Sequence, residues 1–338
     1  MLVVMEAHAT AEMVAKVCEE ISRMGLTPHP IPGAMRTAIG VTGNKAQVDS
    51  DRILTLIGVQ DIIHVTQPFK LVSREFFQED TIVDVNGVKI GGNNFTVMAG
   101  PCSVESRDQT MIVAEEVKKA GAKIFRGGAF KPRTSPYSFQ GLGEPGLRIL
   151  AEVRDKFGLQ IITEAVDTET LDMVADYADI VQIGTRNMQN YSLLKKAGRC
   201  GKAVLLKRGM SATLEEFLMA AEYIMAEGNR RVILCERGVR TIADHTRNTL
   251  DLAAICYVKR MSHLPIIADP SHGTGKKSKV LPLSRASIAV GADGLLVEVH
   301  HQPEIALSDG PQSITPPEFH QLMADMRKLG AVLDRNIV

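Results

Sequence analysis

Two rhythms of apolar residues divide this chain near residue 95. In the first part LVVM (2–5) reads as a strand. TAEMVAKVCEEISRMG places Met13, Val14, Val17, Cys18 and Ile21 at helical spacing and stops at Gly25. Two short strand-like stretches follow, around 28–32 and 37–41. DSDRILTLIG then reads as a short helix and DIIHVTQ as a last strand. The order β-α-β-β-α-β predicts a ferredoxin-like module over residues 1–67. Residues 68–94 read as a connector, PFKLVSREFFQED, and a β-hairpin, TIVDVNGVKIGG, with Asn86-Gly87 at its turn.

From residue 95 short apolar runs alternate with amphipathic stretches. FTVMA, KIFRG, QIITE, DIVQIG, AVLLK, RVILCE, PIIAD and LLVEV are the strand candidates. Helical patterns follow them, among them one from Ser106 that opens with Gln109 at capping-box spacing. Others cover about 246–262 and 281–291, and the last opens at Thr315-Pro316-Pro317-Glu318. Eight βα units over residues 95–338 predict an α/β fold of the TIM (β/α)8 barrel type. A doubly wound sheet is the alternative, and the count of eight favours the barrel.

Composition changes this picture little. The 338 residues carry 39 basic and 39 acidic side chains, so bulk charge gives no support for nucleic-acid or membrane partners. The opening residues have no basic, apolar leader pattern, and no window reads as a membrane span. Five scattered cysteines without a CxxC argue for the reducing cytoplasm. HGTGKKS (272–278) suggests a phosphate loop, but Pro270 stands where the first glycine belongs.

In a barrel the chemistry lies at the C-terminal strand ends. Those ends offer Cys102, Arg126, Glu164, Arg186, Lys207, Glu236, Asp269 and Glu298, with more groups in the loops beyond. Arg126, Lys131, Arg133, Arg186, Lys207 and Arg237 form a basic set. Any one of them is most simply a solvated charge or half of an ion pair. Six at matching places on successive strands point instead to a multiply anionic ligand. Cys102, His272, Glu298 and Asp309 form a second set, on strands one, seven and eight. Thiolate, imidazole and two carboxylates suit a divalent transition metal. An inert buried thiol, a loop histidine and carboxylates paired with the basic rim are the structural alternative, and spacing does not decide. His300 and His301 are rival ligands.

AGPCSVES, RGGAFKPRTSPYSFQGLG, QIGTRNMQN, LLKRG, ILCERGVRT, DPSHGTGKK and EVHHQPEIALSDGPQS occur in this order. Together they resemble the 3-deoxy-D-arabino-heptulosonate-7-phosphate (DAHP) synthase family. The resemblance covers the chain from about residue 95. The N-terminal module resembles, by pattern, the ferredoxin-like (ACT-like) extension of one branch of that family.

The resemblance implies condensation of phosphoenolpyruvate with erythrose 4-phosphate, the first step of the shikimate pathway to aromatic amino acids. It implies one divalent metal, Mn2+ first and Fe2+, Co2+, Zn2+ or Cd2+ otherwise, on Cys102, His272, Glu298 and Asp309. Arg126, Lys131, Arg186, Lys207 and Arg237 would hold phosphoenolpyruvate, and Arg133, Thr134 and Ser135 the aldose phosphate. Lys131 is the candidate proton donor. Glu236, or a metal-linked water, is the candidate for managing the proton of the attacking water. The N-terminal module would bind tyrosine or phenylalanine as feedback inhibitor, with His29 a candidate contact or a plain loop histidine. A homotetramer is expected by the same analogy. The related 3-deoxy-D-manno-octulosonate-8-phosphate synthases typically carry K-A-N where this chain has Lys131-Pro132-Arg133. A non-catalytic phosphate-ligand sensor and a simple metal-dependent aldolase complete the alternatives.

Overall fold

The computed structural model describes residues 1–33, 35–43, 50–63, 68–133 and 135–338. These separate into two units, Met1–Glu79 and Asp80–Val338.

The first unit is built on four antiparallel strands: β1 (Leu2–Met5), β2 (Thr27–Pro32), β3 (Thr37–Thr42) and β4 (Val59–Ile63). Their order, β2-β3-β1-β4, puts the first strand in the middle, as the predicted ferredoxin-like order requires. Thr10 caps the helix Ala11–Arg23 by accepting from the Met13 amide at 3.3 Å. Val17 and Ile21 of that helix pack on Val3, Met5, Ile39 and Val41. The second helix is only Asp51–Leu54, shorter than the apolar pattern suggested. The Thr55 hydroxyl takes the Arg52 carbonyl at 2.8 Å, and Gly58, at φ +90°, turns the chain into β4. The tail of the last predicted strand, residues 64–67, lies outside the described residues.

The second unit opens with the predicted hairpin, β5 (Val83–Val85) and β6 (Val88–Ile90). Asn86 and Gly87 both have positive φ, 50° and 88°, as a two-residue type I′ turn demands. Eight parallel strands form the barrel among the described residues, β7 (Asn94–Gly100), β8 (Ile124–Arg126), β9 (Gln160–Ala165), β10 (Ile180–Ile183), β11 (Ala203–Lys207), β12 (Val232–Glu236), β13 (Ile266–Ala268) and β14 (Gly294–Glu298), and a short ninth, β15 (Asn336–Ile337), lies parallel beside β7. Each barrel strand pairs with the next, and β14 pairs with β7, so the sheet is a closed barrel rather than a doubly wound sheet. Helices cover the outside, so the strands are buried on both faces and read as continuous apolar runs. Met98, Ile124, Ile162, Ile180, Leu205, Ile233, Ile267 and Leu296 share the central core.

The hairpin belongs to that core. Val83, Val85 and Ile90 join the same apolar cluster. Asn86 Nδ2 donates to Gln160 Oε1 at 2.6 Å and to Asp179 Oδ1 at 3.2 Å, where β9 and β10 begin. The hairpin therefore caps the N-terminal end of the barrel and leaves the C-terminal end to the site.

Three helix expectations need correction. The helix expected from about 246 is Leu252–Met261. Asp251 caps it by accepting from the Ala254 amide at 3.0 Å, and the preceding residues form a loop toward the site. The helix expected from about 281 starts at Lys277, with Pro282 inside it. Ser106 does cap its helix, accepting from the Gln109 amide at 3.1 Å, but Gln109 Oε1 accepts from Glu105 N, not from Ser106. The capping box at Thr315 and Glu318 forms in full. Among the described residues no helix is long and apolar enough to cross a membrane.

Ile90 is fully buried at the plugged end, remote from the strand ends that carry the candidate chemistry. Ile90→Ala is expected to cost about 2–5 kcal/mol. The measurement is the shift of the denaturant midpoint at constant slope.

Candidate active site

The last residues of parallel strands lie at one end of a barrel, and here they line a cavity of about 310 Å³. Arg126 ends β8, Lys207 ends β11 and Arg237 follows β12. Arg186 sits in a 3-10 turn, Thr185–Asn187, after β10. Lys131, Arg133 and Ser135 come from the loop after β8, and all seven line the cavity. Thr134 lies outside the described residues.

Most of these cations are already engaged. Arg126 Nη1 donates to Glu298 Oε1 and to the Pro101 carbonyl, both at 2.9 Å. Lys207 Nζ donates to Asp269 Oδ2 at 2.6 Å. Arg186 reaches the Pro132 carbonyl at 3.2 Å, and Arg133 the Phe139 carbonyl at 3.0 Å. Arg237 differs. It is buried, its Nε has no hydrogen-bond partner among the described residues, and Nη1 reaches only the Gly238 carbonyl at 3.4 Å. A buried guanidinium donor without an acceptor is costly, and an anion in the cavity would satisfy it.

Cys102, His272, Glu298 and Asp309 meet at the same end. Their donor atoms, one sulfur, one nitrogen and two oxygens, lie within 4.8 Å of one another. Closure of the barrel brings Glu298, at the end of β14, beside the loop after β7 that carries Cys102. His272 rides a short helix, Pro270–Thr274, capped by Asp269. Asp269 also accepts from His272 Nδ1 at 2.7 Å, which turns the Nε2 lone pair toward the other three groups. Asp309 has φ +53°, a left-handed backbone that side-chained residues rarely adopt.

The electrostatics suit a cation. Burial alone would raise the Asp309 carboxyl, but His272, a hydrogen bond from Cys102 and Lys131 hold it down at about 2. Glu298 is likewise depressed: burial opposes this, and His272 and Arg126 prevail. Burial pushes the His272 imidazolium down, so the ring is neutral at neutral pH. Burial, with Glu298 next, pushes the Cys102 thiol up to about 11. Lys131 Nζ sits 3.0 Å from that sulfur, and Ser308 Oγ shares a hydrogen bond with it at 3.0 Å. Three of the four groups are thus ready to ligate, and the fourth needs only to lose its proton. The donor set fits a borderline divalent ion.

Not every expected residue arrives. Glu236 is fully buried behind the wall, taken up by Arg208 at 2.9 Å and the Gly238 amide at 2.6 Å, and it does not line the cavity. His300 and His301 stay outside the quartet: Nδ1 of His300 accepts from Gln302 N at 3.0 Å and its Nε2 faces Glu105. His29 pairs with Thr42 Oγ1 across β2 and β3 at 2.8 Å. Two charged residues of the cavity wall fall outside the sets read from the sequence. Glu164, at the end region of β9, was visible as a strand-end residue but carries the wrong charge for the basic rim. Arg247, 3.4 Å from Asp309 Oδ1, was hidden inside an over-extended helix.

The comparisons with known proteins come down on one family. The model of the DAHP synthetase I family matches residues 77–333, and that of the DAHP synthase ferredoxin-like domain matches residues 1–67. A phospho-2-dehydro-3-deoxyheptonate aldolase of Thermotoga maritima is 51% identical over 333 residues, covering 98% of both chains. A 2-dehydro-3-deoxyphosphooctonate aldolase of Syntrophotalea carbinolica is 32% identical, covering 75% of this chain and 97% of that one. The crystal structure of the Thermotoga maritima phospho-2-dehydro-3-deoxyheptonate aldolase (DAHP synthase) superposes with a TM-score of 0.80 at 50% identity, covering 100% of this chain and 99% of that one. A truncated form of the 3-deoxy-D-arabino-heptulosonate 7-phosphate synthase from Thermotoga maritima superposes with a TM-score of 0.75 at 51% identity, covering 79% of this chain and 98% of that one. With both units matched in order, the chain belongs to the DAHP synthetase I family and carries the ferredoxin-like domain found with it.

Proposed function

We infer that this chain condenses phosphoenolpyruvate with erythrose 4-phosphate and water, giving DAHP and inorganic phosphate. The observation that carries the reading is that Arg126, Lys131, Arg186, Lys207 and Arg237 face the same cavity that His272 and Asp309 enter from the metal-ligand quartet. Identity of 51% over 98% of the chain favours the heptulosonate over the octulosonate reaction, for which the relative is 32% identical and covers 75% of this chain.

Carbon 3 of phosphoenolpyruvate attacks the aldehyde carbon, water adds at carbon 2, and phosphate leaves from the resulting hemiketal. A divalent ion, Mn2+ first, held by Cys102, His272, Glu298 and Asp309 supplies Lewis-acid polarisation of a carbonyl when bound. The chain's own residues do the rest. Arg186, Lys207 and Arg237 bind the phosphate and carboxylate, and Arg237 gains the acceptor it lacks. Arg133 and Ser135, which follow Lys131 in the same loop and line the cavity, take the aldose phosphate. Two anions held by opposed cations lose their mutual repulsion and their freedom to misalign. Lys131 stays an ammonium: burial lowers its pKa, but the field of Cys102 and Glu298 more than restores it. It is therefore able to give a proton to the new alkoxide. Glu164, the carboxylate on the wall beside Gln182 at 3.1 Å, replaces Glu236 as the group to take the proton of the attacking water.

The N-terminal unit is read as regulatory, with tyrosine or phenylalanine as the inhibitor, and the assembly as a cytoplasmic homotetramer. The match of residues 1–67 to the family's ferredoxin-like domain supports a dedicated module.

Phosphate release with phosphoenolpyruvate and erythrose 4-phosphate is expected to require metal and to exceed that with arabinose 5-phosphate. Cys102→Ala is expected to abolish it. Equal rates in chelator, or preference for arabinose 5-phosphate, would overturn the assignment. Metal binding at pH 8 is expected to release about one proton, because only Cys102 is protonated there. Calorimetry in buffers of different ionisation enthalpy reads it, and Cys102→Ala should release none. Removing residues 1–67 is expected to leave turnover and to remove inhibition by the aromatic amino acid, in steady-state assays with and without it.

A further inference from the structure

Asp309 stands at the end of a loop whose large apolar side chains do not hold it down. The loop runs from His300, after the buried Val299, to Asp309. Its large apolar side chains, Ile305 and Leu307, are 63% and 54% exposed. Its last residue is in the left-handed region, which persists only where the surroundings impose it. Polar contacts must therefore set its position.

Glu105 makes two of them. One carboxylate oxygen accepts from the Leu307 amide at 2.9 Å, two residues before Asp309. The other lies 3.5 Å from His300 Nε2, at the loop's beginning, close enough for electrostatic attraction but without a hydrogen bond. The tautomer of His300 follows from geometry. Its Nδ1 accepts from the Gln302 amide, so the neutral ring carries its proton on Nε2, facing Glu105. A single carboxylate thus spans both ends of the loop.

Glu105 is itself firmly placed. It follows Cys102 by three residues, on a segment pinned to the loop after β8. Ser103 bridges Gly128, and the Val104 amide donates to the Gly128 carbonyl at 3.0 Å. Glu105 N is 3.4 Å from Gln109 Oε1, in the helix that follows. Its side chain is about 10% exposed and does not line the cavity, so no substrate role competes.

We propose that Glu105 is a positioning residue for the metal site: it fastens the loop bearing Asp309 to the segment bearing Cys102 and so fixes the distance between two ligands. The proposal rests on reading the quartet as metal ligands. It concerns affinity and coordination geometry, not a group that touches substrate.

The test is a Co2+ titration of metal-free, full-length protein, followed by absorption. Wild type is expected to bind one Co2+ per chain with a thiolate charge-transfer band, and Cys102→Ala to lose that band. Glu105→Ala is expected to keep the band at saturation, bind ~10–100-fold more weakly and show altered ligand-field bands. Glu105→Gln keeps an acceptor for Leu307 N–H but presents a donor or nothing to His300, so its loss is expected to be smaller. Circular dichroism of the metal-free proteins establishes folding, and if Glu105→Ala does not fold, Glu105→Gln decides. Folded variants with wild-type affinity and ligand-field bands would overturn the proposal and leave the metal reading intact. Failure of wild type to bind Co2+, or binding unchanged in Cys102→Ala, would overturn both.

Discussion

The pairing of β14 with β7, from Gly294 against Thr96 to Glu298 against Gly100, is the contact on which the site depends. These strands are separated by nearly the whole barrel sequence. On an open sheet they would be opposite edges, with Glu298 and Cys102 far apart. Closure makes them neighbours and leaves no unpaired edge. Gly294 is part of what permits it: a Cβ there would lie 2.2 Å from the Thr96 carbonyl oxygen. The hairpin seals the opposite end with Val83, Val85 and Ile90, so the strand ends can be given over to polar groups without opening the core to water.

The charges at that end are arranged for exchange. Arg126 with Glu298, and Lys207 with Asp269, are ion pairs with both partners almost fully buried. Such pairs add little to stability, since desolvation offsets their attraction. They keep each charge matched until a ligand offers a different partner. Glu298 and Asp269 hold cations in place that an anionic substrate would otherwise find scattered. Arg208 and Glu236 form a similar pair behind the wall, which is why Glu236 is not available to the cavity.

Much of this was legible in the sequence, and the reasons are physical. Strands buried on both faces leave uninterrupted apolar runs, so the eight barrel strands could be counted from Phe95 onward. The barrel rule then turns a list of strand-end residues into a list of neighbours, which is how Cys102, His272, Glu298 and Asp309 could be grouped. Loops obey no such period. The stretch before Asp251 carries no local mark of a loop, so its pattern extends the helix expected from about 246 and conceals Arg247. Burial direction is equally invisible: Glu236 and Glu164 both close strands, yet only Glu164 faces the cavity. Glu105 gave no signal, because its role depends on a backbone amide about two hundred residues away.

Asp269 has a consequence of its own. One of its oxygens receives both Lys207 and the imidazole of His272. Lys207 faces the cavity and His272 faces Cys102, Glu298 and Asp309 of the candidate metal site. An anion that draws Lys207 away leaves Asp269 to the histidine alone and makes that ring a more basic donor. Through this one carboxylate the filling of either half of the site is felt by the other, and thermodynamic reciprocity obliges the two affinities to change together by the same factor.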